Sequence, residues 1–267
     1  MQILLGFFFA IIIAFLAHRA HSLDRSGAVA AIIVGTVIFG IGGLSWAILL
    51  LTFFITSSAL SRAFKQRKAG LNEKFSKGHE RDAGQVFGNG GVATLFAALH
   101  GLYPEAVWPW IGFAAALAAV NADTWATELG VLNPSAPRLL TDLRKPVEKG
   151  TSGGVSLWGT AAALLGAAVI ALPAVLLSGG FSLGVGHFLL ISFAGLAGSL
   201  FDSLLGATAQ SIYFCPTCQK ETERHPLHTC GTRTEPVRGW HWLDNDWVNF
   251  ACGAAGVVIA LAGIIFV

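Results

Sequence analysis

The segment NADTWATELG (residues 121–130) ends a long apolar run with two carboxylates, Asp123 and Glu128. Ionisable side chains are costly within a hydrocarbon layer, so in membrane proteins they often mark functional positions. If the segment is helical, Asn121 and Glu128 share one face, and Asp123 lies on another. The segment therefore predicts a polar site at one end of a buried helix.

Two further apolar runs carry aspartates near an end. Asp202 lies in GSLFDSLLGATAQ, whereas Asp244 and Asp246 open the last run together with Asn245 and Asn249. Such hard oxygen ligands suit Mg²⁺, which typically binds through one or two carboxylates and substrate phosphates. The predicted magnesium ligands are Asp123, Asp202, Asp244 and Asp246. The predicted contacts to a bound cofactor are Asn121, Glu128, Asn245 and Asn249. The alternative is that these polar residues only mediate helix packing.

The loop RKPVEKGTSGG (residues 144–154) predicts a phosphate-binding site. Lys145 and Lys149 come shortly before the next apolar run, and the small residues that follow them are Gly150, Thr151, Ser152, Gly153 and Gly154. Glycines allow backbone N–H groups to approach a ligand, and a helix N-terminus attracts anions. The lysines precede the glycines, so the loop is not a Walker A motif. Gly and Ser also mark ordinary turns, which is the alternative.

Membrane helices must carry these residues. Of the 267 residues, 54% are hydrophobic and 12% are charged, whereas soluble domains carry about 25% charged residues. We predict an all-α polytopic bundle that forms a single integral membrane domain over residues 1–267. The apolar runs predict eight spans, at residues 3–17, 27–41, 43–60, 89–104, 107–128, 154–177, 184–208 and 247–267. The net charge of +2 gives no indication of a nucleic-acid partner.

The basic residues indicate the topology. Four polar segments, 18–26, 61–88, 129–153 and 209–246, hold 2, 7, 4 and 4 Lys and Arg residues, which are all 17 in the chain. Because cytoplasmic loops carry the excess of Lys and Arg, all four are predicted to be cytoplasmic and both termini to lie outside.

The second polar segment is the most basic of the four. Its cations are expected to attract anionic lipid headgroups at about 1 kcal/mol per residue. Arg62 and Arg81 flank the neighbouring spans closely enough for contact with a lipid phosphate. We therefore treat these two arginines as candidate lipid-phosphate contacts.

The fourth polar segment contains CPTCQKETERHPLHTC, with Cys215, Cys218, His225, His228 and Cys230. A C-x₂-C pair followed by His and Cys fits a structural zinc site of the Cys₃His type. A cytoplasmic location disfavours a disulfide. We predict a zinc knuckle with His228 as the fourth ligand and His225 as the alternative. A loop with reduced thiols is the other interpretation.

Carboxylates suited to Mg²⁺ and a cationic glycine-rich loop lie on the same predicted face. In phosphoryl transfer the protein mainly positions groups and neutralises developing charge, which this set of residues can do. A nucleotide would reach the site from the cytoplasm, and a lipid would arrive from the leaflet. The residues therefore indicate a Mg²⁺-dependent enzyme that acts on a lipid and a nucleotide.

The same residues resemble a known family of integral membrane proteins that includes the phytyl-phosphate kinase of vitamin E synthesis. The resemblance runs nearly end to end. It rests on SGAVAAIIVGTVIFGIGG, NGGVA, NADTWATELG, KGTSGGVSLWGT, GSLFDSLLGATAQ, the Cys-rich insert and GWHWLDNDWVN.

A more distant similarity links these blocks to CTP-dependent dolichol and phytol kinases and to phosphatidate cytidylyltransferases. Asp123 stands where those enzymes carry a Gly-Asp-x-x-Ala motif, and residues 145–154 resemble their Lys-rich stretch that ends in Glu-Gly-x-x-Gly-Gly. Asp202 with Ser203 resembles their Gly-Asp-Leu-x-Glu-Ser block, and Asp244 with Asp246 resembles their Leu-Asp-Arg-x-Asp block. The chain departs from the pattern at Ala122, which replaces a glycine, and at Ser199, which replaces an aspartate.

The resemblance implies CTP, or a related nucleotide, as the phosphoryl donor and a prenyl or phytyl monophosphate as the acceptor. The catalytic residues would be Asp123, Asp202, Lys145 and Lys149. Two alternatives stay open: a cytidylyltransferase that forms a CDP-lipid, and an ion or lipid transporter. Transporter sites tend to lie near the midplane, whereas these carboxylates gather at one face. A homodimer is a further expectation that the sequence leaves open.

Overall fold

The computed structural model describes residues 1–64, 80–178 and 180–267. The basic residues between 65 and 79, which we expect to attract lipid headgroups, lie outside these ranges. The described chain folds into long helices, as predicted: α1 Gln2–Arg19, α2 Arg25–Val37, α3 Leu44–Ala63, α4 Ala83–Leu102, α5 Trp108–Gly130, α6 Leu157–Leu176, α7 Val185–Thr208 and α8 Asn245–Gly263. A π-helical turn, Ile38–Gly42, continues α2, and a 3₁₀ turn, Ile264–Phe266, follows α8.

Six of these helices are long and apolar enough to cross a membrane, namely α1, α2 with its π-helical turn, α3, α6, α7 and α8. The prediction of eight spans is therefore not confirmed by length and apolarity alone. Helix α5 carries Asn121, Asp123 and Glu128, which lower its hydropathy. It contacts α3, α4, α6, α7 and α8, and its residues 109–122 are buried. A helix that other helices enclose on most sides tolerates these polar groups.

The even-numbered helices begin with polar caps. Asp24, Ser156 and Asp244 each accept backbone N–H groups at the start of α2, α6 and α8. Asp82 and Gln85 form a reciprocal capping box at the start of α4. This box explains why α4 begins at Ala83, six residues before the predicted span.

The described parts of the four polar segments lie at one end of the bundle. The first and second are joined because Asp24 N donates to Arg81 O (3.1 Å) and Arg81 N donates to Ser22 O (3.0 Å). The third and fourth are joined by Ser152 Oγ, which donates to Glu223 Oε1 at 2.8 Å. This arrangement agrees with the partition of basic residues in the sequence. Assignment of this end to the cytoplasm still rests on the charge rule.

Two small antiparallel sheets lie at this end of the bundle. The third polar segment contains β1 Arg138–Leu139 and β2 Asp142–Pro146, and β3 Gly154–Val155 follows it directly; the strand order is β2-β1-β3. The fourth contains β4 Ile212–Cys215, β5 Lys220–Thr222 and β6 Glu235–Arg238, in the order β5-β4-β6. These strands have two to five residues, which is too short for a clear alternating pattern in the sequence.

Small residues bring α5, α7 and α8 together. A Cβ atom added to Gly198 on α7 would lie 2.6 Å from Ala119 Cβ on α5 and 2.7 Å from Cys252 O on α8. Close approach at such positions is typical of membrane helices. Asp123 and Asp202 lie one turn beyond this contact on their own helices, towards the loop end. The packing therefore brings two of the predicted metal ligands into one region.

Candidate functional site

A cleft of ≈ 320 Å³ opens at the loop end between α5, α6, α7 and the two sheets. Its polar lining comes from six helices, α3 to α8, and from the second, third and fourth polar segments. These polar residues are Ser61, Arg81, Gln85, Asn89, Asp123, Thr124, Thr127, Glu128, Lys149, Thr151, Ser152, Ser156, Thr160, Ser199, Asp202, Ser203, Gln210, Glu223, Asn245 and Asn249. Most of the predicted site residues thus meet in one cleft.

Asp123 and Asp202 form the acidic side of the cleft. Ser199 Oγ donates to Asp123 Oδ1 at 3.5 Å. Ser199 stands where the distantly similar CTP-dependent enzymes are expected to carry an aspartate, and it contacts the Asp123 carboxylate. Asp202 Oδ2 is buried and has no hydrogen-bond partner among the described residues. Asp123 and Glu223 are both near enough to act electrostatically on Asp202. Clustered carboxylates with a buried oxygen suit a divalent cation.

The glycine-rich loop forms another part of the cleft wall. Gly150 and Gly153 have φ angles of 77° and 83°, which favour glycine. A Cβ atom at Gly153 would lie 2.5 Å from Ala207 on α7, so the loop backbone packs directly on that helix. Lys149 lines the cleft, and its Nζ donates to Val131 O at 3.2 Å. Gly150, Thr151, Ser152, Gly153 and Gly154 all line the cleft.

Two backbone groups of this loop are already engaged. Thr151 N donates to Glu148 O at 3.1 Å, and Gly154 N donates to Thr151 O at 3.0 Å. These bonds form local turns, so neither group is directed to a ligand in this structure. Two of the backbone N–H groups that the predicted phosphate site could use are therefore occupied by local turns.

Four predicted site residues do not line the cleft. Lys145 is exposed on β2, and Asp244 is an exposed cap that accepts from Asp246 N (3.0 Å) and Trp247 N (3.2 Å). Asp246 follows this cap, and Asn245 and Asn249 face the cleft in place of the two aspartates. The start of α8 therefore contributes amides to the cleft.

Asn121, the fourth, is a fully buried structural residue. Its Oδ1 accepts from Thr56 Oγ1 and Ser57 Oγ on α3, both at 3.1 Å, and its Nδ2 donates to Gly166 O on α6 at 2.7 Å. The amide thus joins three helices below the cleft. A cofactor contact predicted from helix periodicity is here a packing contact.

Asn121→Ala should destabilise the fold without removing a cleft residue. The substitution leaves the Gly166 carbonyl without its amide donor in a buried region and opens a small cavity. We expect a loss of about 1–3 kcal/mol in the free energy of unfolding. Denaturant unfolding in detergent micelles measures this loss. An unchanged unfolding midpoint would contradict the structural role.

The sequence did not indicate Glu223 as a site residue. It follows β5 in the Cys-rich insert, where its Oε1 accepts from Ser152 Oγ (2.8 Å) and Gln210 Nε2 (3.0 Å). The insert therefore reaches into the cleft and contacts the glycine-rich loop. Its acidic neighbour Glu221 has the same residue type in the same short segment, so no spacing distinguishes the two.

Arg81 brings a half-buried cation to the cleft, whereas the Arg62 side chain bonds to the first polar segment. Arg81 lies 5.6 Å from the ring centroids of both Phe53 and Phe54, and its Nη1 donates to Ser58 Oγ at 3.5 Å. Desolvation lowers the pKa of Arg81 to about 10, so the guanidinium stays charged at neutral pH. Arg62 donates to Ala20 O and Ser22 Oγ in the first polar segment.

A second cluster lies in the Cys-rich insert. Ligand atoms of Cys215, Cys218, His228 and Cys230 all lie within 4.8 Å of one another. Cys215 Sγ and Cys230 Sγ are 3.6 Å apart, and His228 Nδ1 is 3.3 Å from Cys230 Sγ. Tetrahedral zinc with bonds of about 2.3 Å separates its sulfur ligands by about 3.8 Å, so these donors fit that ion. His228, and not His225, is the histidine brought to the cysteines.

The thiols of this cluster differ in acidity. Hydrogen bonds with Thr232 and His228 lower the pKa of Cys230 to about 6, whereas a hydrogen bond with Cys230 raises the pKa of Cys218 to about 11. Thr222 and His228 are buried beside them. The insert is thus folded around the cluster, and β5 leads from it to Glu223.

Comparison with known proteins assigns the family. The family model described as "Integral membrane protein DUF92" matches residues 8–257, which is nearly the whole chain. The chain belongs to this family. The resemblance inferred from the sequence motifs is thereby confirmed, and so is the membrane location that it implied.

Relatives of the chain come from plants, archaea and cyanobacteria. Protein PGR of Arabidopsis thaliana is 36% identical over 261 residues, covering 90% of this chain and 88% of that protein. An uncharacterized membrane protein of Methanocaldococcus jannaschii is 35% identical over 216 residues, covering 78% and 84%. One from Synechocystis is 28% identical over 233 residues, covering 86% and 78%. No solved structure shows a significant match.

Proposed function

We propose that this DUF92 protein is a CTP-dependent kinase that converts a prenyl or phytyl monophosphate to the diphosphate at the cytoplasmic face of the membrane. The main support is the cleft that Asp123 and Asp202 from membrane helices line together with Lys149 and the glycine-rich loop. An anionic donor and a divalent cation would both find complementary groups in this cleft. Phosphoryl transfer requires this kind of positioning and charge neutralisation.

The carboxylates fit Mg²⁺ by their chemistry. Asp123 and Asp202 provide oxygen donors, and the buried Asp202 Oδ2 has no hydrogen-bond partner in the described part of the chain. Bound Mg²⁺ would neutralise charge on the phosphates during transfer. Glu223 adds a third carboxylate from the insert, whereas Asp244 and Asp246 lie outside the cleft.

The other cleft residues suit nucleotide and acceptor binding. Lys149 supplies a cation, and the side-chain amides of Asn245 and Asn249 supply donors and acceptors. Arg81 supplies a second cation from the α3–α4 side. A phosphomonoester acceptor is already an anionic nucleophile, so the transfer does not require a general base.

Product analysis tests the proposal. Purified protein is incubated with Mg²⁺, CTP and a prenyl monophosphate, and phosphorus NMR identifies the products. Prenyl diphosphate with CDP is the expected result. CDP-prenyl with pyrophosphate would replace the kinase with a cytidylyltransferase. No turnover across nucleotides and prenyl acceptors would reject both enzymes and favour a transport function.

We further propose that the Cys₃His cluster holds one structural Zn²⁺. Cys230→Ser replaces a thiolate ligand by a weak one, so the variant should lose most of its metal. The expected zinc content, measured by inductively coupled plasma mass spectrometry, is one ion per wild-type chain. Cys252→Ser is the matched control, because Cys252 is buried in α8 and is not part of the cluster. Equal zinc content in both variants would contradict the assignment.

A further inference from the structure

An apolar pocket of ≈ 250 Å³ lies beside the polar cleft, between α1, α2, α3 and α4. Its walls include Ala10, Ala14 and Ala17 on α1, which are 7%, 2% and 7% exposed. Phe8 and Phe15 on the same helix are 58% and 59% exposed. These alanines face into the bundle, and the pocket reaches the outer surface at Phe9 and Leu44, which are 45% and 67% exposed.

The pocket extends along the bundle from the loop end. On α1 its lining runs from Ala17 back to Gly6, which at 1.5 Å per residue is about 16 Å. This length is about half of the hydrocarbon core of a bilayer. A single extended chain that enters from the loop end would thus be covered to about the depth of one leaflet.

The pocket and the polar cleft share three residues, Arg81, Gln85 and Asn89. The rest of the pocket lining is apolar, so these polar residues mark its junction with the cleft. Arg81 lies at this junction, with Phe53 and Phe54 beside its guanidinium. An anionic headgroup at Arg81 would lie at the edge of the cleft that holds Asp123 and Asp202.

We propose that this pocket binds the isoprenoid chain of a lipid monophosphate, with the phosphate at Arg81. The assignment rests on the proposed function and specifies where its acceptor lies. The apolar walls match a hydrocarbon tail, and the half-buried guanidinium of Arg81 matches a phosphomonoester. The pocket volume of ≈ 250 Å³ favours one chain over the two of a phosphatidic acid.

Photolabelling tests the site without requiring turnover. A farnesyl monophosphate that carries a diazirine near its tail is irradiated with the full-length protein in detergent, without nucleotide, and labelled peptides are identified by mass spectrometry. Labelling of the pocket segments of α1 and α3 is expected, with competition by geranylgeranyl monophosphate. Labelling confined to other surfaces, or equal competition by phosphatidic acid, would overturn the proposal.

A matched pair of substitutions on α3 locates the chain. Ala47 lines the pocket, whereas Ala59 is exposed and lines neither the pocket nor the cleft. Ala47→Trp should reduce labelling of the pocket peptides at least 10-fold, and Ala59→Trp should leave it unchanged. The smaller Ala47→Leu should give an intermediate loss if the larger side chain disturbs folding. Equal labelling in all these variants would contradict the proposal.

Arg81→Gln tests the headgroup contact separately. In the wild type, geranylgeranyl monophosphate should compete at least 10-fold better than geranylgeraniol. The variant should lose this preference while the tail peptides are still labelled. If the variant still preferred the monophosphate to the alcohol, Arg81 would not be the residue that binds the phosphate. Because none of these measurements uses CTP, labelled pocket peptides together with no kinase products would reject the proposed function and keep the lipid site.

Discussion

Asp123→Asn is expected to lower the rate of prenyl diphosphate formation at least about 100-fold, because it removes an anionic ligand of the Mg²⁺ that would neutralise charge on the transferring phosphates. The side chain keeps its size, and Ser199 Oγ can still donate to the remaining carbonyl oxygen. The variant should therefore fold and elute as the wild type does. Initial rates at saturating CTP and Mg²⁺ measure the loss.

Binding of Mn²⁺ gives a readout that does not depend on turnover. Electron paramagnetic resonance should show Mn²⁺ bound to the wild-type protein and weaker Mn²⁺ binding to the Asp123→Asn variant. If the rate fell while Mn²⁺ binding stayed unchanged, Asp123 would contact substrate and would not be a metal ligand. Full activity in the variant would reject the assignment of the cleft.

Asp244→Asn is the matched control. The sequence predicts Asp244 as a metal ligand on the same grounds as Asp123, but in the structure it caps α8 outside the cleft. Asn caps helices about as well as Asp. Near wild-type activity and stability are therefore expected. A loss of activity equal to that of Asp123→Asn would mean that Asp244 is a metal ligand after all.

The bundle was predictable because its signals are collective. Many residues contribute to each apolar run, and all 17 basic residues fall in four segments, so single errors do not change the topology. The structure confirms the helical bundle and places these segments at one end. Whether α4 and α5 cross the membrane is harder to predict from apolarity, because both helices carry polar residues.

The site was only partly predictable because single residues decide it. Asp202 and Asp244 both lie near the loop ends of apolar runs, but Asp202 lies within α7 and Asp244 precedes α8, where its carboxylate accepts backbone N–H groups. Asn121 was assigned by helix periodicity, which does not tell whether a face meets a cleft or another helix. Glu223 reaches the cleft through a small sheet whose strands leave no clear pattern.

The insert and the cleft are connected through Glu223. Its carboxylate accepts from Ser152 of the glycine-rich loop and from Gln210 at the end of α7. The Cys₃His cluster lies at the other end of the same small sheet, because β4 ends at Cys215 and pairs with β5. A folded insert therefore places a carboxylate beside the loop that would hold a phosphate. This gives the cysteine cluster a structural connection to the proposed chemistry.

Lys149→Met should raise the KM for CTP by about 10- to 100-fold. A hydrogen bond to a charged group contributes about 1.5–3 kcal/mol, and the substitution removes the cleft lysine that would bind the triphosphate. If Lys149 binds the donor equally in the ground state and the transition state, kcat stays nearly unchanged. Initial rates over a range of CTP concentrations separate the two parameters.

Lys145→Met is the control for this prediction. Lys145 is four residues away in the same loop, but it is exposed on β2 and does not line the cleft. Its removal changes the net charge by the same amount, so both variants alter long-range attraction of CTP similarly. Only a local contact between Lys149 and CTP can therefore make Lys149→Met bind CTP more weakly than Lys145→Met does. Equal KM values in the two variants would mean that the basic loop attracts the nucleotide only through its overall charge.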